Sequence, residues 1–376
     1  MVVGAGSPNV QIILLRISAL WLNILMENFN SDPLLTRYAF NFFDRHIAFK
    51  HLAQEMGNSS FFITGGSGLF GRWILSFFSW SERRKYSEPK LTILSRQDFS
   101  SSSSVKFICG DIKNFQNHDL KYTYTLHMAA PSASETYRSM DELDKFHVLA
   151  KGTETLLNSA RLNTEKRTLI LSSGALFGGF DETKVDKISE SERHAPAYAD
   201  DLQALSIGKR VAEFLTKEFC CKGYIDASIA RCFSFIGPGL PTDLHYAVGN
   251  FVAQAVAGEN IVIKGTGRPI RSFMHLGDMV FWVMTILFRG RNGEDYNVGS
   301  KDGISMLDLA KEIVDVLETR SEIVVLGESD KTSGNPSNYY YVPDTLKAER
   351  ELGLHCRAEL RASIKEYADY LQVASR

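Results

Sequence analysis

Short apolar runs alternate with stretches of helical hydrophobic spacing through the first two thirds of this chain. Apolar runs that end in glycine or polar residues predict strands at residues 60–64, 90–94, 105–109, 123–128, 167–171 and 227–231. Helical spacing predicts helices at about 69–78 and 140–162 and around Lys209. Strands that alternate with helices indicate βαβ units, so the predicted fold is α/β, with a doubly wound parallel sheet of Rossmann type.

The pattern changes on both sides of this alternating region. Residues 1–57 are predicted to be a helical N-terminal extension, in which Ser31-Asp32-Pro33 begins one or two helices over 31–57. The alternating unit covers 58–237. Beyond it, longer loops rich in glycine and proline separate short elements. Residues 238–376 are therefore predicted to form mainly a smaller C-terminal α/β domain.

An apolar run at residues 10–26 is interrupted by Arg16 and Asn23. It is shorter than the roughly 20 apolar residues of a membrane span, and it lacks the basic start and cleavage site of a signal peptide. Three interpretations stay open: a packed or surface helix, a leader ahead of a start at Met26, or a membrane association. The first is favoured, and with it a cytoplasmic protein.

Composition narrows the classes of function. The chain has 376 residues with 44% hydrophobic and 23% charged, as in ordinary globular proteins. A net charge of -2 gives no basic footprint for nucleic acid. Five cysteines without C-x-x-C spacing predict reduced thiols, and no His/Cys spacing predicts a metal site.

The strongest local signal is TGGSGLFG at 64–71, between a predicted strand and a predicted helix. This context is typical of a dinucleotide phosphate site. Gly65 would permit the tight turn, Gly68 would let the backbone approach a pyrophosphate, and Gly71 would let the helix pack on the sheet. Leu69 and Phe70 open the helix, whose N–H groups and partial positive charge attract phosphate.

The end of the second predicted strand bears on the choice of dinucleotide. Ser95-Arg96 stands where an acidic residue would bind the ribose hydroxyls of NAD. Arg96 can form charge-assisted bonds with a 2′-phosphate, so NADP is slightly favoured over NAD. Asp98, two residues further on, is the alternative ribose ligand.

Ordered motifs resemble the extended short-chain dehydrogenase/reductase family, the NAD-dependent epimerases and dehydratases of nucleotide sugars. The resemblance covers about residues 60–372. Its motifs are TGGSGLFG at 64–71, GDI at 110–112, HMAAP at 127–131, LSSGALFG at 171–178, GKRVAE at 208–213, ARCFSFIGPGLP at 230–241, GTGRPIRSFMHLGD at 265–278 and YNVGS at 296–300. It implies that 58–237 binds the dinucleotide and that 238–376 mainly binds a nucleoside diphosphate sugar.

The resemblance also implies which residues contact the cofactor. Asp111 and Ile112 match positions that contact the adenine. Ala129 and Ala130 match the region of the nicotinamide ribose. Lys209 matches the catalytic lysine that binds the hydroxyls of that ribose.

The substrate residues follow in the same way. Ser173 matches the catalytic Ser/Thr that hydrogen-bonds the substrate oxygen, and Asn250 and Arg271 match positions that hold the sugar nucleotide and its diphosphate. The planar, permanently charged Arg side chain suits a diphosphate. The resemblance further implies a homodimer, through the helices near 140–162 and 205–222.

One position departs from the family pattern. The family carries a tyrosine four residues before the lysine, one helical turn away, and its phenol exchanges a proton with the substrate. Here that position is Leu205, four residues before Lys209. A leucine has no proton to transfer.

Three explanations stay open. Tyr198 supplies the phenol from the preceding loop. Alternatively, His194, Asp200 or Ser206 acts through water. In the third, the chain binds cofactor and sugar but reacts slowly or not at all, as a sensor or partner subunit.

The residues after Ser173 narrow the reaction. They are Gly174 and Ala175, where the family's 4,6-dehydratases carry an Asp-Glu pair that eliminates water, so dehydration is not expected. GKRVAE is closest in wording to the UDP-glucuronate decarboxylase branch. The expected activity is that of a nucleotide-sugar epimerase, 4-ketoreductase or decarboxylase, with a catalytically impaired dinucleotide-binding protein as the alternative. A membrane-associated role in making surface polysaccharide rests only on residues 10–26.

Overall fold

A computed structural model describes residues 32–101, 104–116, 120–131, 135, 140–178, 186–193, 204–243, 246–327 and 339–375. Its strands are β1 (Ser60–Thr64), β2 (Lys90–Ser95), β3 (Val105–Cys109), β4 (Tyr122–His127), β5 (Thr164–Ser173), β6 (Ala227–Cys232), β7 (Phe235–Ile236), β8 (Ile261–Ile263), β9 (Ile270–Arg271), β10 (Met274–His275), β11 (Asp295–Val298), β12 (Ile304–Ser305), β13 (Ile323–Val325) and β14 (Tyr340–Tyr341).

The α-helices in the same ranges are α1 (Pro33–Arg45), α2 (Ile47–Met56), α3 (Leu69–Arg83), α4 (Glu142–Asn163), α5 (Ala204–Cys221), α6 (Ala247–Val256), α7 (Leu276–Arg289), α8 (Met306–Leu317), α9 (Leu346–Leu352) and α10 (Leu360–Ala374). A single 3-10 turn at Gly174–Phe177 follows β5 directly. Within the described ranges, no helix is both long enough and apolar enough to cross a bilayer. The apolar run at 10–26 lies outside those ranges.

A seven-stranded sheet forms the centre of the molecule, in the order β11-β6-β5-β4-β1-β2-β3. Every neighbouring pair is parallel. Its strands read as nearly continuous buried runs, as expected of a sheet with helices on both faces. The predicted Rossmann-type fold is confirmed.

Strand β11 was missed by the sequence analysis. It lies beyond residue 237, yet it pairs with β6 and completes the central sheet. Helix α7, which precedes it, packs against β5 and β6. Residues beyond 237 therefore contribute a strand to the central sheet as well as forming the smaller C-terminal elements. The proposed division of the chain into domains stays a prediction.

Two helices, α1 and α2, lie within residues 31–57, where the sequence predicted one or two. The Asp32 side chain accepts a hydrogen bond from the backbone N–H of Leu34 and caps α1, with Pro33 in the first turn. Phe43 from α1 and Phe49 from α2 pack against the buried Trp80 of α3. Burial of such large aromatic rings fixes this helical pair against the body of the fold.

The sheet positions the site through the direction of its strands. The chain order reverses between β4 and β1, which lie side by side at the centre. Ligands of open α/β sheets bind outside the carboxyl ends of the strands at such a switch point. The loops after β1, β2, β3, β4 and β5 all meet at this edge.

Candidate functional site

The turn after β1 is held in one conformation by the loop after β4. Gly65 has φ 76°, and a Cβ there would lie 2.6 Å from the backbone carbonyl carbon and oxygen of Met128. The backbone N–H of Ala129 donates to the Thr64 hydroxyl at 3.3 Å, and that hydroxyl also bonds His127 Nδ1 at 2.7 Å. Only glycine fits position 65, because φ is left-handed and the neighbouring backbone is in contact.

Gly71 and Gly68 differ in what surrounds them. A Cβ on Gly71 would lie 2.5 Å from the Gly65 carbonyl oxygen, so Gly71 lets α3 approach the turn. Gly68 has φ -70°, and a Cβ there would meet only the Gly65 carbonyl oxygen, at 3.5 Å. The protein itself has room for a side chain at 68. Gly68 is also the N-cap of α3 and has no side chain to cap the helix, so no capping side chain competes with an anion for the first backbone N–H groups of α3.

The loops after β2 and β3 lie at the far end of the sheet's carboxyl edge. Ser95 ends β2, and Asp111 and Ile112 follow β3. The Asp111 carboxylate accepts from the Lys113 backbone N–H at 2.9 Å. The Arg96 side chain is more than half exposed. Its guanidinium donates hydrogen bonds to both carboxylate oxygens of Glu135, at 2.7 and 3.3 Å. The guanidinium that was predicted to meet a 2′-phosphate is thus already paired with a carboxylate.

One cleft of about 1760 Å³ runs from this edge to the C-terminal elements. It brings together most of the side chains and turn residues that the sequence analysis singled out, namely Gly65, Gly68, Leu69, Phe70, Gly71, Ser95, Arg96, Asp111, Ile112, Ala129, Ala130, Ser173, Asn250 and Arg271. The volume exceeds the roughly 300–1,000 Å³ of a typical single-ligand pocket.

Lys209 is not among the residues that line the cleft. Its ammonium group is buried and donates to the Leu171 carbonyl oxygen of β5 at 2.6 Å. Burial lowers the pKa of Lys209 to about 8, and the same burial raises the pKa of Cys232 beside it to about 12. Leu205, one turn earlier, does line the cleft. The predicted contact of Lys209 with a ribose stays a prediction.

Ser173 ends β5 and begins the 3-10 turn. Its hydroxyl accepts from the Ala175 backbone N–H at 3.2 Å, which fixes the side chain at the cleft surface. Gly174 follows without a side chain, so neither residue after Ser173 brings a carboxylate. The position suits a hydroxyl that contacts a substrate oxygen and does not itself remove a proton.

The opposite wall carries Asn250 on α6 and Arg271 on β9. The Arg271 guanidinium donates to the Ile270 and Tyr339 carbonyl oxygens, at 2.8 and 3.3 Å, which hold it in place. Burial lowers the pKa of Arg271. A fixed, largely desolvated cation in a cleft favours an anionic ligand such as a diphosphate.

The sequence analysis missed two tyrosines of the cleft, Tyr246 and Tyr341. Neither stands at a spacing that links it to a motif, so no local signal marked them. Tyr198, His194 and Asp200 lie outside the described residues, and Ser206 is buried. All five cysteines are free thiols. In the part of the chain that the structure describes, no group of three His, Cys, Asp or Glu is placed to hold a metal.

A family model matches this chain over residues 61–299, and its description is the NAD-dependent epimerase/dehydratase family. UDP-glucuronic acid decarboxylase 6 of Arabidopsis thaliana is 25% identical over 334 residues, which are 83% of this chain and 91% of that protein.

Solved structures with the same fold include two nucleotide-sugar enzymes. A UDP-glucose 4-epimerase from Thermotoga maritima, solved with UDP-glucose, has a TM-score of 0.70 at 18% identity and covers 84% of this chain and 100% of its own. A dTDP-glucose 4,6-dehydratase from Streptomyces venezuelae, solved with NAD bound, has a TM-score of 0.68 at 19% identity, with 84% and 97% covered. The names of these three proteins cover decarboxylation, epimerisation and dehydration, and they do not show which reaction this chain catalyses.

Proposed function

Since this chain belongs to the NAD-dependent epimerase/dehydratase family, we propose that it transfers hydride between a dinucleotide and a carbon of a nucleoside diphosphate sugar. The overall reaction is that of an epimerase, a 4-ketoreductase or a decarboxylase. Each of these involves hydride transfer at a sugar carbon, with the dinucleotide as hydride acceptor in the oxidation steps and as hydride donor in the reduction steps.

The observation that supports this proposal most directly is a cleft whose two ends are lined by different groups. At one end, the turn at Gly65 and Gly68 offers backbone N–H groups to a diphosphate. At the other, Arg271 and Asn250 offer a guanidinium and an amide to a second diphosphate. Ser173 lies on the wall of the same cleft, where the two ligands would meet.

We propose NAD as the dinucleotide, in place of the NADP that Arg96 favoured. The residues of the glycine turn fit either cofactor. However, the Arg96 guanidinium is already paired with Glu135 through two hydrogen bonds, so a 2′-phosphate would have to displace this carboxylate or lie beside it, and like charges repel. The family description and the Streptomyces venezuelae enzyme, solved with NAD, support the same choice.

We propose the following roles for residues that line the cleft. The open space over Gly68 admits a pyrophosphate, and Asp111 and Ile112 border the adenine end. Arg271 holds the sugar nucleotide by its diphosphate, and the Ser173 hydroxyl orients a sugar oxygen. Decarboxylation is supported by the Arabidopsis relative, and dehydration is disfavoured because no acid follows Ser173.

The test is incubation of the purified full chain and NAD with UDP-, dTDP-, CDP- and GDP-sugars, including UDP-glucuronic acid. Absorbance of reduced nicotinamide and separation of the sugar products are followed together. Conversion of at least one nucleotide sugar is expected. No conversion and no reduced nicotinamide across the panel contradicts the enzymatic proposal.

A second candidate function is a catalytically impaired dinucleotide-binding protein. It is favoured by Leu205, which lines the cleft where a phenol is required, and by Lys209, whose ammonium group is turned to the Leu171 carbonyl. Such a chain binds both ligands and transfers no hydride. Its role is then that of a sensor or a partner subunit.

Replacing Leu205 with tyrosine separates the two functions. An enzyme that already has a proton-transfer group gains less than about tenfold in turnover, because the new phenol duplicates a function. A decayed enzyme gains at least about 100-fold, the usual contribution of a restored acid-base group. Turnover of both proteins is compared at several pH values, with Leu205→Phe as the control for size. We expect the smaller change.

We propose that two copies of this chain associate through α4 and α5. These helices pack side by side and leave large apolar side chains in solvent: Leu143 is 60% exposed, Leu162 55% and Phe214 62%. Phe214 and Ile207 are seven residues apart and share one face of α5. An apolar face of this kind marks an interface.

Replacing Phe214 with glutamate is expected to convert the dimer to a monomer, because a charge would be buried at the centre of the shared face. Light scattering coupled to gel filtration gives the mass of each variant. Leu346→Glu is the matched control, since Leu346 is also exposed but lies on α9. A wild-type chain that elutes as a monomer contradicts the dimer.

A further inference from the structure

The turn after Ser173 is built around a phenol from a distant part of the chain. A Cβ on Gly174 would lie 2.7 Å from the phenolic oxygen of Tyr341. That oxygen therefore occupies the space directly over the residue after Ser173. Tyr341 lines the same cleft as Ser173, and its phenolic oxygen lies beside the residue that follows Ser173 in the chain.

Three contacts fix the Tyr341 ring in this place. Strand β14 pairs with β9, with Tyr341 opposite Arg271. The ring packs on Phe233 at 4.7 Å between centroids, and the Arg271 guanidinium carbon is 5.8 Å from its centroid.

Oxidation of a hydroxyl carbon requires a group that takes the hydroxyl proton. Two titratable residues near the end of β5 are turned away: Lys209 donates to the Leu171 carbonyl, and His127 is buried with both ring nitrogens in hydrogen bonds to threonines. Asp111 follows β3, four strands from β5 in the sheet, or roughly 19 Å at ~4.8 Å per strand.

We propose that Tyr341 is the proton-transfer residue of this cleft, acting beside Ser173 in place of a phenol on α5. This inference rests on the proposed function and assigns it a catalytic group. The proton leaves the sugar hydroxyl for the Tyr341 phenolate oxygen, while the C–H bond breaks and its electron pair leaves as hydride to the oxidised nicotinamide of NAD. A C=O bond forms, the sugar is oxidised and the dinucleotide is reduced.

The first arm of the test measures contact with the sugar, independently of turnover. Calorimetry gives the dissociation constants of UDP-glucuronic acid and of UDP for the NAD-loaded wild type, Tyr341→Phe and Tyr340→Phe. Loss of one hydrogen bond to the sugar weakens UDP-glucuronic acid about 2- to 13-fold in Tyr341→Phe and leaves UDP unchanged. Tyr340 is the matched control, because it lies on the same strand but does not line the cleft.

The second arm measures proton transfer. In Tyr341→Phe, kcat for the best nucleotide sugar is expected to fall about 10²- to 10⁴-fold with little change in KM. The rise of the wild-type oxidation rate with pH is also expected to disappear, because the ionising phenol is gone. Tyr246→Phe removes another phenol of the cleft and shows whether any such loss has the same effect.

The outcomes test the proposed function and the role of Tyr341 separately. A wild type that binds no nucleotide sugar overturns the proposed function and the inference with it. With an active wild type, the inference alone is overturned if Tyr341→Phe keeps its kcat and pH profile, if it loses affinity for UDP and UDP-glucuronic acid equally, or if the loss of kcat is confined to Tyr246→Phe. Loss of sugar affinity, kcat and pH dependence in Tyr341→Phe supports it.

Discussion

Replacing Gly68 with glutamate is expected to abolish dinucleotide binding while leaving the fold intact. The backbone φ of -70° at this position is one that any residue adopts, and an added Cβ would have its nearest neighbour at 3.5 Å. The new side chain therefore brings no strain. A carboxylate at the N-terminus of α3 even suits the helix dipole. It occupies the place of the pyrophosphate and repels it, so the affinity for NAD falls at least ~100-fold, or ~2.7 kcal/mol.

Thermal unfolding checks both parts of this prediction. The unfolding midpoint of Gly68→Glu without ligand should stay near that of the wild type, and only the wild type should rise when NAD is added. Gly65→Ala is the contrasting variant: φ 76° and backbone atoms at 2.6 Å should destabilise the fold itself. Equal stabilisation by NAD of wild type and Gly68→Glu contradicts the assigned phosphate site.

Replacing Arg231 with leucine is expected to lower the free energy of unfolding by about 3–5 kcal/mol. The Arg231 guanidinium bonds Glu213 and Asp295, each at 2.6 Å, and all three side chains are at most 8% exposed. These contacts tie β6 to α5 and to β11. Without the cation, the buried Glu213 carboxylate loses its guanidinium partner and the buried Asp295 carboxylate keeps only Lys217, although burial of the intact cluster is itself costly.

Urea unfolding of wild type and Arg231→Leu measures this difference. Arg361 is the matched control, because it also pairs with two carboxylates, Glu312 and Asp315, but at the surface, so Arg361→Leu should change the midpoint little. Adding Glu213→Gln and Asp295→Asn to Arg231→Leu should recover part of the loss. A loss for Arg231→Leu no larger than for Arg361→Leu contradicts the assigned role of the cluster.

Local patterns were sufficient to predict six of the seven strands of the central sheet. Strand β1 and the turn at Gly65 were readable because an apolar run, three glycines and a helix follow one another within a dozen residues. The same local signal located α1, where Asp32 and Pro33 begin the helix. Each of these features depends on neighbours in the chain, which a sequence displays directly.

Contacts between distant segments were not predictable in this way. Strand β11 joins β6 across more than 60 residues, and two of its four residues, Asp295 and Asn297, are polar, so no apolar run marks it as a strand. Tyr341 reaches Gly174 only because β14 pairs with β9. Arg96 was assigned to a phosphate because nothing in the sequence marks Glu135 as its partner. Such pairings are set by tertiary packing.

The most direct test of the central claim is calorimetric titration of the well-folded wild-type chain with NAD and, separately, with NADP. The claim is that the backbone turn at Gly65–Gly68 holds the diphosphate of a dinucleotide. One NAD per chain, bound more tightly than NADP, is the predicted result. An absence of binding heat for both dinucleotides over a range of temperatures would contradict it.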